Sequence, residues 1–476
     1  MMRTLIFVHR WLGIPFCLFF ALWFATGIVM HFVPFPERSE AERMAGLAAI
    51  DLSGVAHGPA EAILAGKLDG VRRVRLQQRS DGPVYLVSAV SGTAALRAAD
   101  LSSAEVKTEP LSFKLAINHA RLRGLDTENA AVGELADYDQ WTVPNGFDRH
   151  RPLYRIALND KAGTELYVSS KTGEVVLDTT RNERAWNYVG SVVHWIYPTI
   201  LRQNWMAWNV TVWWISLLAI LAALSGAIVG PLRFKIVRNR LVSRYRRWHA
   251  WHHWIGLICA IFVMTWIVSG WLSMDHGRLF PEGGLGESEA DRIAGEPAWN
   301  ELTSTVLASL PPVTREVEWF AFGGRIYQRE RTGINAQKLS VAASANNVPP
   351  HAFLEAGEVN AVFSRAVEGC THTTIVKPDD DYPVASDVTD APVYRSICGD
   401  VWYHLDGASG ANLEKLDARR RTYRWLYRAL HTLDFPVLVA RPGLRTVVIV
   451  GLCAFGVAFS ITGIVIGWRR LRIQFR

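Results

Sequence analysis

Two stretches open long apolar runs in nearly the same way: VHRWLGIPF, Val8–Phe16, and WHAWHHWIGL, Trp248–Leu257. Set in register, His9-Arg10-Trp11-Leu12-Gly13 falls on His252-His253-Trp254-Ile255-Gly256, and at the same offset Thr26-Gly27 meets Ser269-Gly270. Later segments repeat as well. RPLYR (151–155) resembles APVYR (391–395), and ELYVSSKTGEVV resembles VWYHLDGASGANL, each pair reading as strand, glycine turn, strand. The helical stretches ERAWNYVGSVVHWIYP and RTYRWLYRALHTLDFP follow, setting His194 on His431 and then Ser225-Gly226 on Thr462-Gly463. The unit is therefore span, segment, span, and it occurs twice. Internal repeats of this kind predict a pseudo-symmetric membrane protein. Because both copies start on the same side, the expected fold is a membrane α-helical four-helix bundle of two parallel repeats, with a pseudo-two-fold axis along the membrane normal and two α+β domains outside it.

Composition agrees. Half of the 476 residues are hydrophobic, and four windows, 5–33, 207–231, 254–274 and 444–468, are long and apolar enough to span a bilayer. The first is too long for a signal-peptide apolar core and reads as a retained helix. Many of the nineteen tryptophans sit near span ends, where indole anchors at the interface. The loop between the second and third windows carries Arg233, Lys235, Arg238, Arg240, Arg244, Arg246 and Arg247 without an acid. The tail carries Arg469, Arg470, Arg472 and Arg476, and the N-terminus Arg3 and Arg10. Basic residues stay cytoplasmic, which puts both termini and this loop on the cytoplasmic side of a bacterial inner membrane, in contact with anionic lipids. The organisation expected is a helix at 1–33, a periplasmic domain at 34–204, a helix at 205–231, a basic loop at 232–248, a helix at 249–274, a second periplasmic domain at 275–442, a helix at 443–468 and a tail at 469–476. These basic segments largely account for the formal charge of +7, so nucleic acid is not an expected partner.

Cysteine use fits the same topology. Cys17, Cys259 and Cys453 fall in spans, whereas Cys370 and Cys398 lie together in the second outer segment and are expected to form a disulfide in an oxidising compartment.

The histidines carry the functional argument. Polar side chains at membrane depth are costly unless paired or bound. His9 with His252, and His194 with His431, obey the repeat, and two symmetry-related imidazoles facing one axis could supply both axial ligands of a heme iron. On a helix Gly13 lies one turn from His9, and Gly27 lies five turns away at the same angle; Gly256 and Gly270 stand likewise to His252. Such glycines leave room for a porphyrin, or simply for close helix packing. His31, aligned with Met274, and His249 and His253, beside His252, are the fallback ligands. His276 stands near the outer end of the third span, as His31 does near that of the first. No CxxCH is present, so any heme is expected to be noncovalent. Neither GxSxG nor HExxH occurs, which argues against a hydrolase. No GxGxxG stands between a strand and a helix, so a dinucleotide is not an expected cofactor.

VHRWLGIPFCLFFALWFATGIVMHF, YVSSKTGEVV before VGSVVHW, and HHWIGLICAIFVMTWIVSGW together resemble the PepSY-associated transmembrane family. The resemblance covers all four spans and the segments before the second and fourth, whose strand–turn–strand units resemble PepSY domains. It implies an iron-regulated inner-membrane protein similar to ferric-siderophore reductases with two b-type hemes, ligated at the matching positions His9, His252, His194 and His431. It also implies a ferric-siderophore or other ferric complex as acceptor, with electrons from a cytoplasmic partner or a quinol. PepSY domains are associated with protease inhibition too, so the alternative expectation is a regulatory or binding membrane protein without redox activity.

Overall fold

The computed structural model describes residues 2–275, 279–342 and 349–474. His276 and Arg476 lie outside the described residues. The chain divides into two compact units: one holds residues 1–35, 183–282 and 419–476, the other 36–182 and 283–418.

Among the described residues of the first unit, four helices are long and apolar enough to cross a membrane: Met2–Phe32, Trp205–Val229, Trp248–Leu272 and Pro442–Gln474. They are called here the first to fourth membrane helices. Each begins before the apolar window that announced it; the first three end one or two residues short of the window's end, and the fourth runs on through basic residues to Gln474. The first helix packs on the second and fourth, and the third packs on the second and fourth. Their shared interior is made by Phe16, Phe20 and Phe24, Ala219 and Ala222, Cys259, Val263 and Ile267, and Ile449 and Cys453. Leu18, Ile261 and Val447 point away from it and are exposed, the disposition expected where lipid is the solvent.

The second unit is built from strands. Its first segment carries β1 (Val71–Arg79), β2 (Gly82–Ala89), β3 (Gly92–Arg97), β4 (Ala131–Ala136), β5 (Leu153–Ala157), β6 (Glu165–Ser169) and β7 (Val175–Thr179). In the first unit, the loop between the second and third membrane helices forms the hairpin β8 (Phe234–Val237) and β9 (Arg240–Ser243). The second segment carries β10 (Glu316–Phe322), β11 (Arg325–Arg331), β12 (Gln337–Val341), β13 (Cys370–Ile375), β14 (Val393–Cys398), β15 (Val401–Asp406) and β16 (Asn412–Leu416).

The repeat survives in the topology. Strands β4–β7 and β13–β16 form two four-stranded sheets, packed against helices Glu109–Leu122 and Ala356–Ala366 respectively. The expected strand–turn–strand units are β6–β7 and β15–β16, turning at Gly173 (φ 71°) and Gly410 (φ 66°). The sequence suggested two domains, but the segments share one six-stranded antiparallel sheet, β12-β11-β10-β1-β2-β3. Pairing β1 with β10 covers two edges that would otherwise stand open. Cys370 and Cys398 are disulfide-bonded at the end of the β13–β14 ladder.

Candidate functional site

Among the polar groups directed into the first unit are the four repeat histidines, each half-buried. His9 lies on the first membrane helix and His252 on the third; their ring centres are 6.3 Å apart. His194 and His431 precede the second and fourth membrane helices, and their ring centres are also 6.3 Å apart. Both sequence-derived pairs are therefore brought together, and each joins one repeat to the other.

The local backbone aims the second pair in the same way twice. A π-helical turn precedes each histidine, Tyr188–Val192 before His194 and Arg424–Ala429 before His431. Two residues after each, the chain enters the left-handed region, at Ile196 (φ 51°) and Leu433 (φ 51°). β-branched and bulky residues adopt that conformation only under constraint from their surroundings. Both distortions recur at equivalent positions of the repeat, as single-turn π segments do at functional sites.

Each imidazole is then fixed by a Ser/Thr-Gly pair on another helix. His9 Nδ1 lies 3.2 Å from the Ala222 carbonyl oxygen and 3.4 Å from Ser225 Oγ. His252 Nδ1 lies 2.9 Å from Thr462 Oγ1, and His194 Nδ1 lies 2.9 Å from Thr26 Oγ1. His431 Nδ1 lies 3.1 Å from Ser269 Oγ and 3.2 Å from the Trp266 carbonyl oxygen. All four hydroxyl residues are buried. The adjoining glycines accept the rings: a Cβ on Gly226 would stand 2.7 Å from His9 Cε1, on Gly270 3.0 Å from His431, on Gly463 3.5 Å from His252 and on Gly27 3.8 Å from His194. With Nδ1 engaged in every case, the nitrogen left for other chemistry is Nε2, which makes no hydrogen bond among the described residues.

Two imidazoles that share one first-row metal at about 2 Å per bond place their ring centres roughly 6 Å apart. Among the described residues no group of three or more His, Cys, Asp or Glu is arranged to hold a bare metal ion. A pair alone suits a metal whose other ligands come from a macrocycle, since such a metal takes only axial ligands from the protein. The donor set therefore fits heme. Flat aromatic rings flank the pairs: Phe459 stacks on His252 at 4.9 Å and Tyr427 on His431 at 5.6 Å.

The remaining sequence candidates lie elsewhere. His253 is buried with both nitrogens engaged, Nδ1 with Ser243 Oγ and Nε2 with the Gly230 carbonyl, each at 2.8 Å, so it ties β9 and the end of the second membrane helix to the third. His249 stacks on Tyr245, and His31 Nε2 bonds Thr446 Oγ1 at 2.9 Å. Of the four glycines read as lying beside His9 and His252, Gly27 and Gly270 face His194 and His431 instead. A Cβ on Gly256 would meet Phe459, and one on Gly13 would meet nothing within 4 Å. The faces were assigned along single helices, whereas the close contacts are made across helices. Sequence reasoning aligned the four Ser/Thr-Gly pairs without seeing that they hold the histidines. Thr26 and Ser269 each follow their span-opening histidine by seventeen residues, but the histidines they hold, His194 and His431, come from other segments.

A family model described as the PepSY-associated TM region matches residues 7–470. The chain belongs to that family. The match takes in all four membrane helices, both strand segments and the four paired histidines. No curated protein matches the chain.

Proposed function

We propose that this PepSY-associated membrane protein is a b-type cytochrome of the bacterial inner membrane that moves electrons outward to a ferric-siderophore or another ferric complex. On this reading the four membrane helices form a bundle about a pseudo-two-fold axis, with the strand unit in the periplasm. The observation that carries the proposal is the recurrence of one arrangement: two histidine pairs, each 6.3 Å between ring centres, with all four Nδ1 atoms engaged.

Heme b, bound at each pair, supplies a one-electron carrier. The chain's own groups do the rest. Ser225, Thr462, Thr26 and Ser269 fix ring orientation and leave Nε2 as the coordinating nitrogen, the usual work of partners behind a metal-bound histidine. Thr26 stands seventeen residues above His9, about 25 Å along the helix. The two pairs thus lie near opposite faces of a hydrocarbon core about 30 Å thick. The acceptor side is less defined. Reducing ferric iron weakens its hold by hard oxygen ligands, which gives such an activity its use, and the electron donor would be a cytoplasmic partner or a quinol.

The test is optical. Protein purified from heme-replete cells should show a Soret band that sharpens and an α-band that appears on dithionite reduction, with a pyridine hemochrome of noncovalent heme. A folded, colourless preparation sinks the proposal and leaves a PepSY-type regulatory or binding protein, in which the histidines serve packing alone.

A further inference from the structure

In the strand unit, side chains alternate across the six-stranded sheet. Val74, Leu76, Val317 and Trp319 enter an apolar core on one face. The opposite face carries arginine and glutamate. Glu316 binds Arg43 at 2.6 and 2.7 Å and Arg331 at 3.3 Å, Glu318 binds Arg329 at 3.1 Å and pairs with Arg73, and Glu174 binds Arg75 through both oxygens at 2.8 and 3.0 Å. Glu40 is held by Arg43 and Arg331. Every glutamate of this layer is thus taken.

Arg38 is left over. It donates from Nη1 to the Val175 carbonyl oxygen, and it has no ion pair among the described residues. Burial lowers its guanidinium to about 10, with Glu174 and Glu40 opposing that fall and Arg43 and Arg75 adding to it. A half-buried cation without its own counterion is costly to keep charged.

Beside it lies a cavity of about 40 Å³, bounded by Arg38, Arg43, Arg79, Gln77, His119 and Glu174. A water needs roughly 10–15 Å³ on this scale, so the space admits a larger group. Two further side chains that line it end in polar atoms without a partner: Gln77 Oε1 and His119 Nε2, on residues 2 % and 7 % exposed. Such orphaned atoms are rare in native interiors and point to something that satisfies them. Arg38 offers Nε and Nη2, the Gln77 amide, turned about its terminal bond, offers an N–H, and His119, whose ring also bonds the Gly46 backbone, offers Nε2–H when a bound anion favours its protonation. Glu174 also borders the space, but both its oxygens are committed to Arg75.

We propose that this cavity is a binding site for a single oxyanion group, a carboxylate or a phosphate, held by Arg38, His119 and Gln77. It stands apart from the histidine pairs and does not depend on heme. The size of the space suits a small free anion or the terminal group of a larger molecule.

The full-length protein in detergent, in a buffer free of other oxyanions, is titrated calorimetrically with inorganic phosphate and with acetate. A one-to-one isotherm with either probe, weakened about ten-fold or more by Arg38→Met, is the expected result, since a charge-assisted contact is lost. Phosphate preference assigns the site to a phosphate source, acetate preference to a carboxylate source. Gln77→Met removes a polar atom that has no partner in the structure, so it should fold normally and weaken binding too, keeping the test open should Arg38→Met misfold. Heats equal to dilution for both probes mean that water alone fills the cavity and overturn the proposal, as does an isotherm that neither substitution changes.

Discussion

At the residue scale, each paired histidine depends on two unlike neighbours, a hydroxyl that engages Nδ1 and a glycine that lets the ring in. These contributions separate experimentally. Gly226→Ala would put a Cβ 2.7 Å from His9 Cε1, and His9 would have to leave its place near Ser225. The variant should therefore lose heme from the His9–His252 site alone, read as about half the wild-type pyridine hemochrome, by the two-site proposal. Thr462→Val keeps shape and removes the hydroxyl that bonds His252 Nδ1 and donates to the Phe459 carbonyl oxygen of its own helix. It should retain color but release heme faster to an apoprotein scavenger, by roughly the 10–100-fold that loss of a partner behind a ligand brings. The histidines were legible in the sequence because the repeat aligned them. Their hydroxyl partners were not, because Thr26 lies 168 positions from His194 and Thr462 lies 210 from His252, and no periodicity within one helix reports a contact across helices.

At the element scale, β1, β10 and β11 show how far alternation can be read. The repeated strand–glycine–strand units were legible, with turns at Gly173 and Gly410, whereas β1, β10 and β11 were not singled out. The second face carries charged residues, yet it is buried under residues of the Glu40–Ala45 helix and Glu174. The ion layer makes the strand unit acid-sensitive. Burial would raise Glu174, but the charge and hydrogen bonds of Arg75, with Arg43 and Arg38, hold it at about 2. His119 is kept neutral, first by burial and then by Arg38 and Arg123, down to about 3. Both groups bind protons more readily unfolded than folded. Their contribution is therefore complete above the unfolded values, about 4.3 for Glu and 6.5 for His, and is lost as pH falls towards the folded values. Chemical denaturation followed by the far-ultraviolet strand signal should show stability declining from about pH 6.5 to pH 3, by on the order of a few kcal/mol. Stability that is flat over that range would show the layer to be hydrated instead. Glu316→Gln should lower stability at neutral pH by roughly 3 kcal/mol, because it removes a buried acid paired with Arg43, Arg331 and Arg75 and leaves Glu40 alone to neutralise the first two.

At the scale of the whole molecule, the consequence of the repeat is that neither half holds a site by itself. His9 comes from the first copy and His252 from the second, as do His194 and His431. The Ser/Thr-Gly partners stay within a copy: Ser225 serves His9 and Thr26 serves His194, while Thr462 serves His252 and Ser269 serves His431. Each copy therefore orients its own imidazoles and presents them to the other. Alanine substitutions should sort by pair and not by copy. His9→Ala and His252→Ala remove the two axial ligands of one proposed iron and should give the same spectrum, with about half the Soret intensity and one remaining reduction potential. His194→Ala and His431→Ala should match each other and retain the other potential. His249→Ala, which removes only a ring stacked on Tyr245, should leave both. If spectra instead sort by copy, His9→Ala matching His194→Ala, the irons are bound within repeats and the facing pairs are a packing motif. His253→Ala is the informative control, because it removes two hydrogen bonds that hold β9 and the second membrane helix. It should lower thermal stability without selecting either heme, whereas selective loss of one would move the ligand assignment by one residue along the third helix.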